Sequence, residues 1–277
     1  MGLDFDASQA SRRRPALGRY GVAALAAALG WAAAQAAWVS EDAYIIFRTV
    51  DNFLHGYGLR WNVAERVQSF TAPLWTLALA AAGAVTREYY FTALALGLAC
   101  SAAAVWILAR KLCRSLGAAA WLLSALCSSK AFVDFTTSGL ENALGYLLLA
   151  AFGLAFLGQA EGERQEAGGG EVDQGSVFRR APAGRSASSV PAAEAGRPAT
   201  DLCHWFFRMA LIAALGVCNR LDMALLFAPA AAYAFWMAAR AAGWRRVAGA
   251  ALLAGLPLLA WELFSLLYYG FPVPNTA

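Results

Sequence analysis

Charge and histidine are scarce in this chain. Of its 277 residues only 14% are Asp, Glu, Lys or Arg, and histidine occurs twice, at His55 and His204. An ordinary soluble domain is about one-quarter charged, so that class is excluded. Two isolated histidines give no basis for a histidine metal centre. The five cysteines, Cys100, Cys113, Cys127, Cys203 and Cys218, form no C-x-x-C pair. Neither a zinc site nor a disulfide framework is indicated, and a thiol in an apolar run acts as a small apolar residue. The net charge of +4 belongs to short loops between apolar runs and not to a nucleic-acid surface, so no nucleic-acid partner is expected.

Long apolar runs fill the rest. The chain is 60% hydrophobic with mean hydropathy +0.50, and several stretches reach the ~18–20 residues needed to cross a bilayer core. The runs lie at 19–39, 89–109, 117–135, 139–158, 205–219, 222–239 and 247–268. A shorter one, 70–86, has Pro73 near its start. Arg12, Arg13 and Arg14 precede the first run, without a clean signal-peptide cleavage site after it, and they place the N-terminus in the cytoplasm. If 70–86 crossed fully, Arg110, Lys111 and Arg114 would lie outside, as would Arg240, Arg245 and Arg246. If it lies in the outer interface, both clusters return inside. The positive-inside rule therefore favours an all-α integral membrane bundle of about seven transmembrane helices with an amphipathic juxtamembrane loop on the outer face.

The organisation expected is a cytoplasmic tail over 1–18 and a first membrane half over 19–158, with an outer loop at 40–88. A flexible cytoplasmic linker follows over 159–202, and then a second membrane half over 203–277. The linker is marked by Glu161-Gly162-Glu163-Arg164, Gly168-Gly169-Gly170 and a Pro-, Ser- and Ala-rich continuation. Within the loop, 42–55 reads as an interfacial helix. Ala43, Ile46, Phe47, Val50, Phe53 and Leu54 share one face, with Arg48, Asp51, Asn52 and His55 opposite.

The same topology gathers the acidic motifs at the outer face: Glu41-Asp42, Ser138-Gly139-Leu140-Glu141, Arg220-Leu221-Asp222 and 272–276. Acids at the rim of a span are costly to hold and mark substrate or ion paths. A carboxylate serves as a general base, and an arginine fork suits phosphate. Other accounts stand beside these. Glu141 and Asp222 each begin a span, where a carboxylate favours the helix dipole, and Arg220 can pair with either. Arg48, Arg60, Arg66 and Lys130 are further cations on this side. The aromatic residues near the outer boundary, Tyr268 and Tyr269 among them, fit an interfacial belt.

Four blocks together resemble the polyprenyl-phosphate-dependent glycosyltransferases of GT-C fold, nearest to their mycobacterial arabinofuranosyltransferase-like branch. They are Trp38 to Trp75 with Glu41-Asp42, Thr137 to Asn142, Asn219-Arg220-Leu221-Asp222, and Tyr268 to Thr276. The likeness covers about 38–277 without the linker and implies the N-terminal membrane module of longer proteins. Two departures matter: Glu41 stands where the family usually has aspartate, and Leu221 where it more often has proline.

The resemblance implies an integral inner- or plasma-membrane enzyme, multi-pass, with its site facing the periplasm or exterior. It would transfer a sugar from a polyprenyl-phosphate donor to a cell-envelope glycan, lipid or protein. Asp42 is the implied catalytic acid, Glu41 the second choice, and Glu141, Arg220, Asp222 and Asn275 the implied substrate-binding set. Some members of the family use a divalent cation, but these motifs define no metal ligands. The competing reading is a polytopic carrier, flippase or non-catalytic assembly subunit. Internal repeats or mid-span acids would mark a transporter; no repeat is visible between the halves.

Overall fold

The computed structural model describes residues 4–168, 199–272 and 274, with side chains described for 18–159 and 199–272 and for Pro274. Its elements are α1 (Asp4–Gln35), α2 (Glu41–Leu54), α3 (Pro73–Thr86), α4 (Tyr90–Ile107, ending in a π turn over Leu108–Leu112), α5 (Leu116–Ser128), α6 (Lys130–Thr136), α7 (Asn142–Gly168), α8 (Ala199–Asn219), α9 (Met223–Ala242) and α10 (Trp244–Tyr269). Among the described residues there is no strand, and the all-α membrane class is borne out.

Among the described residues five helices are long and apolar enough to cross a membrane: α4 with its π turn, the 142–159 part of α7, α8, α9 and α10. A sixth span arises if α5 and α6, bent by 76° at one residue, are counted together. The run 117–135 is therefore not one straight helix. Ser129 adopts an extended conformation (φ −86°, ψ 98°), and its hydroxyl accepts the N–H of Phe132, which starts α6 afresh. The remaining expected span is α1. It spans 32 residues, about 48 Å at 1.5 Å per residue; its first half carries Asp4, Asp6, Arg12, Arg13, Arg14 and Arg19, which leaves an alanine-rich apolar part shorter than 18 residues. The short run before α4 forms the 14-residue α3, about 21 Å long; at that length it falls short of a ~30 Å hydrocarbon core.

The linker boundary moves. Helix α7 continues to Gly168 and α8 begins at Ala199, so both ends of the expected 159–202 segment are helical; 169–198 lie outside the described residues.

Two cores position the outer loop. Between the two halves, Phe152 of α7, Met209 of α8 and Phe227 of α9 are buried together, with the Phe152 and Phe227 rings 4.5 Å apart. Gly216 permits this approach, because a Cβ there would lie 2.2 Å from the Phe227 ring. The other core joins α2 to α3 through Ala43, Ile46, Phe47, Val50, Trp75 and Leu79. Burying such side chains stabilises by about 1.5–3 kcal/mol each, which anchors α2 although it spans nothing.

The amphipathic reading of α2 holds for four of its six apolar positions, with one exchange. Phe53 and Leu54 are exposed, while Thr49 and Asn52 are buried. Asn52 points inward because its Nδ2 donates to the carbonyls of Arg60 and Trp61, at 2.9 and 2.8 Å. A polar residue on the buried face thus ties the following loop to the helix.

Candidate active site

Glu41 and Asp42 occupy the first turn of α2, just after Ser40, and both are exposed. Their position is set by a loop distant in sequence. The Ser40 N–H donates to the Ser138 carbonyl (2.8 Å), and Trp75 Nε1–H donates to the Gly139 carbonyl (2.8 Å). Thr137 and Ser138 are fully buried. Gly139 has φ +77°, and a Cβ there would sit 2.8 Å from that of Ala43; only glycine meets both demands. The Ser-Gly-Leu-Glu motif is thus the socket that seats α2 and carries Glu141 to its place.

Glu141, Arg220 and Asp222 converge, as the sequence led us to expect. They line a cavity of about 400 Å³ together with Gln68, Trp261 and Glu262. Arg220 is central. Its Nε and Nη2 donate to the two Asp222 oxygens at 3.0 and 2.8 Å, its Nη1 donates to Asn142 Oδ1 at 3.2 Å, and Glu141 Oε1 lies 3.8 Å from Nη1. The fork is occupied by the neighbouring aspartate, so the ion-pair account of Arg220 is correct as geometry. Arginine has five N–H groups, which leaves two for a further anion. The turn forms with Leu221 in place of proline: the Met223 N–H donates to the Arg220 carbonyl at 3.1 Å.

Electrostatics separate the acids. Burial raises the Glu141 pKa above the ordinary carboxylate range, and the Arg220 cation offsets this only in part. The negative charges of Asp222 and Asp42 push it the same way as burial, which puts Asp42 within electrostatic reach of the cavity although it does not line it. Asp222 is held below the usual range by its hydrogen bonds from Arg220. Asn219, wholly buried, donates from Nδ2 to the Glu141 carbonyl (3.1 Å), while its Oδ1 has no hydrogen-bond partner among the described residues.

Asn275 lies outside the described residues. Among the extra cations, Lys130 pairs with Asp134, Arg60 donates to the Tyr268 hydroxyl at 3.1 and 2.8 Å, and Arg66 stacks over the Tyr268 ring. Tyr269 donates to the Leu59 carbonyl. The two tyrosines therefore clamp the outer loop to the end of α10 in addition to lying near the boundary. Two wall residues lie outside the expected site set: Glu262, for which the sequence leaves a cavity-facing role open near the outer end of the last span, and Gln68, which it does not single out. An acid inside a span was the signal for Glu262. Nothing local marked Gln68, which accepts a hydrogen bond from Ser265, nearly two hundred residues away, at 3.0 Å. A divalent cation finds no dedicated donor set: among the described residues no three His, Cys, Asp or Glu side chains are grouped so that they could hold one ion, and Arg220 is paired with Asp222 and lies near Glu141.

These features define a multi-pass membrane protein with an acid- and arginine-lined cavity. Comparison with known proteins gives the relatives. The chain is 30% identical over 267 residues to the terminal beta-(1->2)-arabinofuranosyltransferase of Mycobacterium tuberculosis, covering 92% of this chain and 37% of that protein. It is 29% identical over 264 residues to the protein of the same name from Corynebacterium glutamicum, covering 89% and 34%. The chain is thus homologous to arabinofuranosyltransferases, and the arabinofuranosyltransferase-like resemblance drawn from its motifs is borne out. It spans about a third of the length of these relatives. No family model and no solved structure matches it.

Proposed function

We propose that the chain forms the donor-side membrane part of a glycosyltransferase that transfers an arabinofuranosyl residue from a polyprenyl-phosphate to a cell-envelope acceptor on the outer face. One observation carries the reading. Glu141 and the Arg220–Asp222 pair come from two remote segments, yet they line one cavity, with Asp42 within electrostatic reach of Glu141. In the proposed step Asp42 takes the proton of the acceptor hydroxyl, whose oxygen forms a bond to the anomeric carbon. The bond from that carbon to the phosphate oxygen breaks, and polyprenyl phosphate leaves with its charge held by the free N–H groups of Arg220. Glu41 is the reserve for the base. Glu141 and Asn275 are assigned to the sugar hydroxyls, and Asp222 orients Arg220.

The direct test uses purified chain in detergent micelles with polyprenyl-phosphate arabinofuranose and a short arabinofuranoside acceptor. Saturable donor binding and acceptor-dependent release of polyprenyl phosphate are expected. Absence of donor binding overturns the reading, and passage of the donor across proteoliposomes without its consumption favours the carrier.

The outer-face placement has its own prediction. With 41–72 and 136–142 both placed outside, single cysteines at exposed positions of the first segment, such as Tyr57 and Glu65, on a background without the native five, should react with a membrane-impermeant thiol reagent added outside the cell. Those at 110–116, 159–200 and 240–246 should not. External labelling at Ser115→Cys or Ser176→Cys would require 70–86 to cross the membrane.

A further inference from the structure

A second cavity, also about 400 Å³, lies away from the acids, on the flank where α1 faces α4 over a floor provided by α5 and α6. Along α1 it is lined from Arg19 to Ala33, and along α4 and its π turn from Leu98 to Arg110. The contributing positions recur at helical spacing on both elements, so the walls are two parallel stripes. Apart from Ser101 they are apolar except at one end, where Arg19 and Arg110 both border the groove. Among the described residues neither arginine takes part in an ion pair. Ser101 stands in the wall, 3% exposed, with its hydroxyl unpartnered. Gly30 opens onto the groove, with nothing within 4 Å of where its Cβ would be.

We propose that this groove holds one anionic phospholipid, its phosphate between Arg19 and Arg110 and one acyl chain along α1. Length and charge select this occupant. From Arg19 to Ala33 is about 21 Å at 1.5 Å per residue, and half of a ~40–45 Å bilayer including headgroups is about 20–22 Å. The groove therefore matches one leaflet from headgroup to chain end. Basic pockets between membrane helices suit phosphate-bearing lipid heads. The Ser101 hydroxyl is a donor for which the protein supplies no acceptor, and an oxygen of the lipid, or a water entering with it, supplies one. The two arginines lie at the end opposite Ala33 and Thr136, which lead into the acidic loop. A lipid held there is distinct from the sugar donor, and the assignment stands whether or not the transfer reading does.

The test is native mass spectrometry of the purified full chain, titrated in micelles with dioleoyl phosphatidylglycerol or dioleoyl phosphatidylcholine. One phosphatidylglycerol should be retained at concentrations where phosphatidylcholine is not. Arg19→Gln with Arg110→Gln should weaken retention at least about tenfold. Gly30→Leu, which fills open space and improves helix propensity, should weaken it comparably while helicity and melting temperature stay at the wild-type level or above. Equal retention of both lipids, or unchanged phosphatidylglycerol binding in either variant, overturns the proposal. Stoichiometric displacement of phosphatidylglycerol by a polyprenyl phosphate also overturns it, and assigns the groove to the donor's tail.

Discussion

Asp42→Asn is expected to lower turnover by about 100-fold or more, the scale of losing general-base assistance, while the protein folds normally. The side chain is exposed in the first turn of α2, so its structural contribution is confined to the helix dipole, about 0.3–1 kcal/mol at an exposed site. Glu41 remains in that same turn to supply most of it. The substitution keeps shape and removes the negative charge and with it the capacity to take a proton. Turnover should be measured at saturating donor, with donor affinity determined separately, because a group acting in the chemical step changes the first and not the second. Glu41→Gln is the necessary partner experiment. If it is the more damaging change, the glutamate carries the proton, and the departure from the family's aspartate is functional. Wild-type turnover in Asp42→Asn removes the residue from the site.

Much of the arrangement was legible because helices in lipid advertise themselves by length and charge. The apolar runs beginning near 89, 139, 205, 222 and 247 correspond to α4, α7, α8, α9 and α10 within a few residues at most boundaries, and the short run near 70 to α3. The convergence of Glu141, Arg220 and Asp222 was legible through parity alone, since each motif falls at the same end of its helix. What failed depended on single polar side chains acting at long range. The break at Ser129 rests on one hydroxyl choosing Phe132 N–H. The inward turn of Asn52 rests on two carbonyls in a later loop, and hydropathy places asparagine on the wet face every time. Gln68 enters the cavity wall because Ser265 holds it there. Tyr268 and Tyr269 fit an interfacial belt in sequence, and only their partners at Arg60 and Leu59 reveal a clamp.

Arg220→Ala is expected to weaken donor affinity about tenfold to a hundredfold, since hydrogen bonds involving a charged group contribute about 1.5–3 kcal/mol. Arg220→Lys should fall between, retaining charge but losing the fork. The ion-pair alternative predicts a loss of stability instead. That loss should be small, because the side chains of Arg220 and Asp222 are 41% and 60% exposed, and an exposed pair is worth about 0–1 kcal/mol. Removing the cation has a second consequence. Arg220 lowers the Glu141 pKa against burial, so its loss raises that pKa further and leaves the carboxyl protonated to higher pH. Asp222→Asn separates competition from orientation. If the aspartate merely occupies the fork, its neutralisation frees N–H groups and tightens donor binding; if it aims the fork, binding weakens. Melting temperature and donor affinity measured on all three variants distinguish the accounts. A destabilised Arg220→Ala protein with unaltered affinity makes Arg220 structural. Of Arg48, Arg60, Arg66 and Lys130, the phosphate contact then passes to Arg48, whose side chain is not engaged with Tyr268 or Asp134.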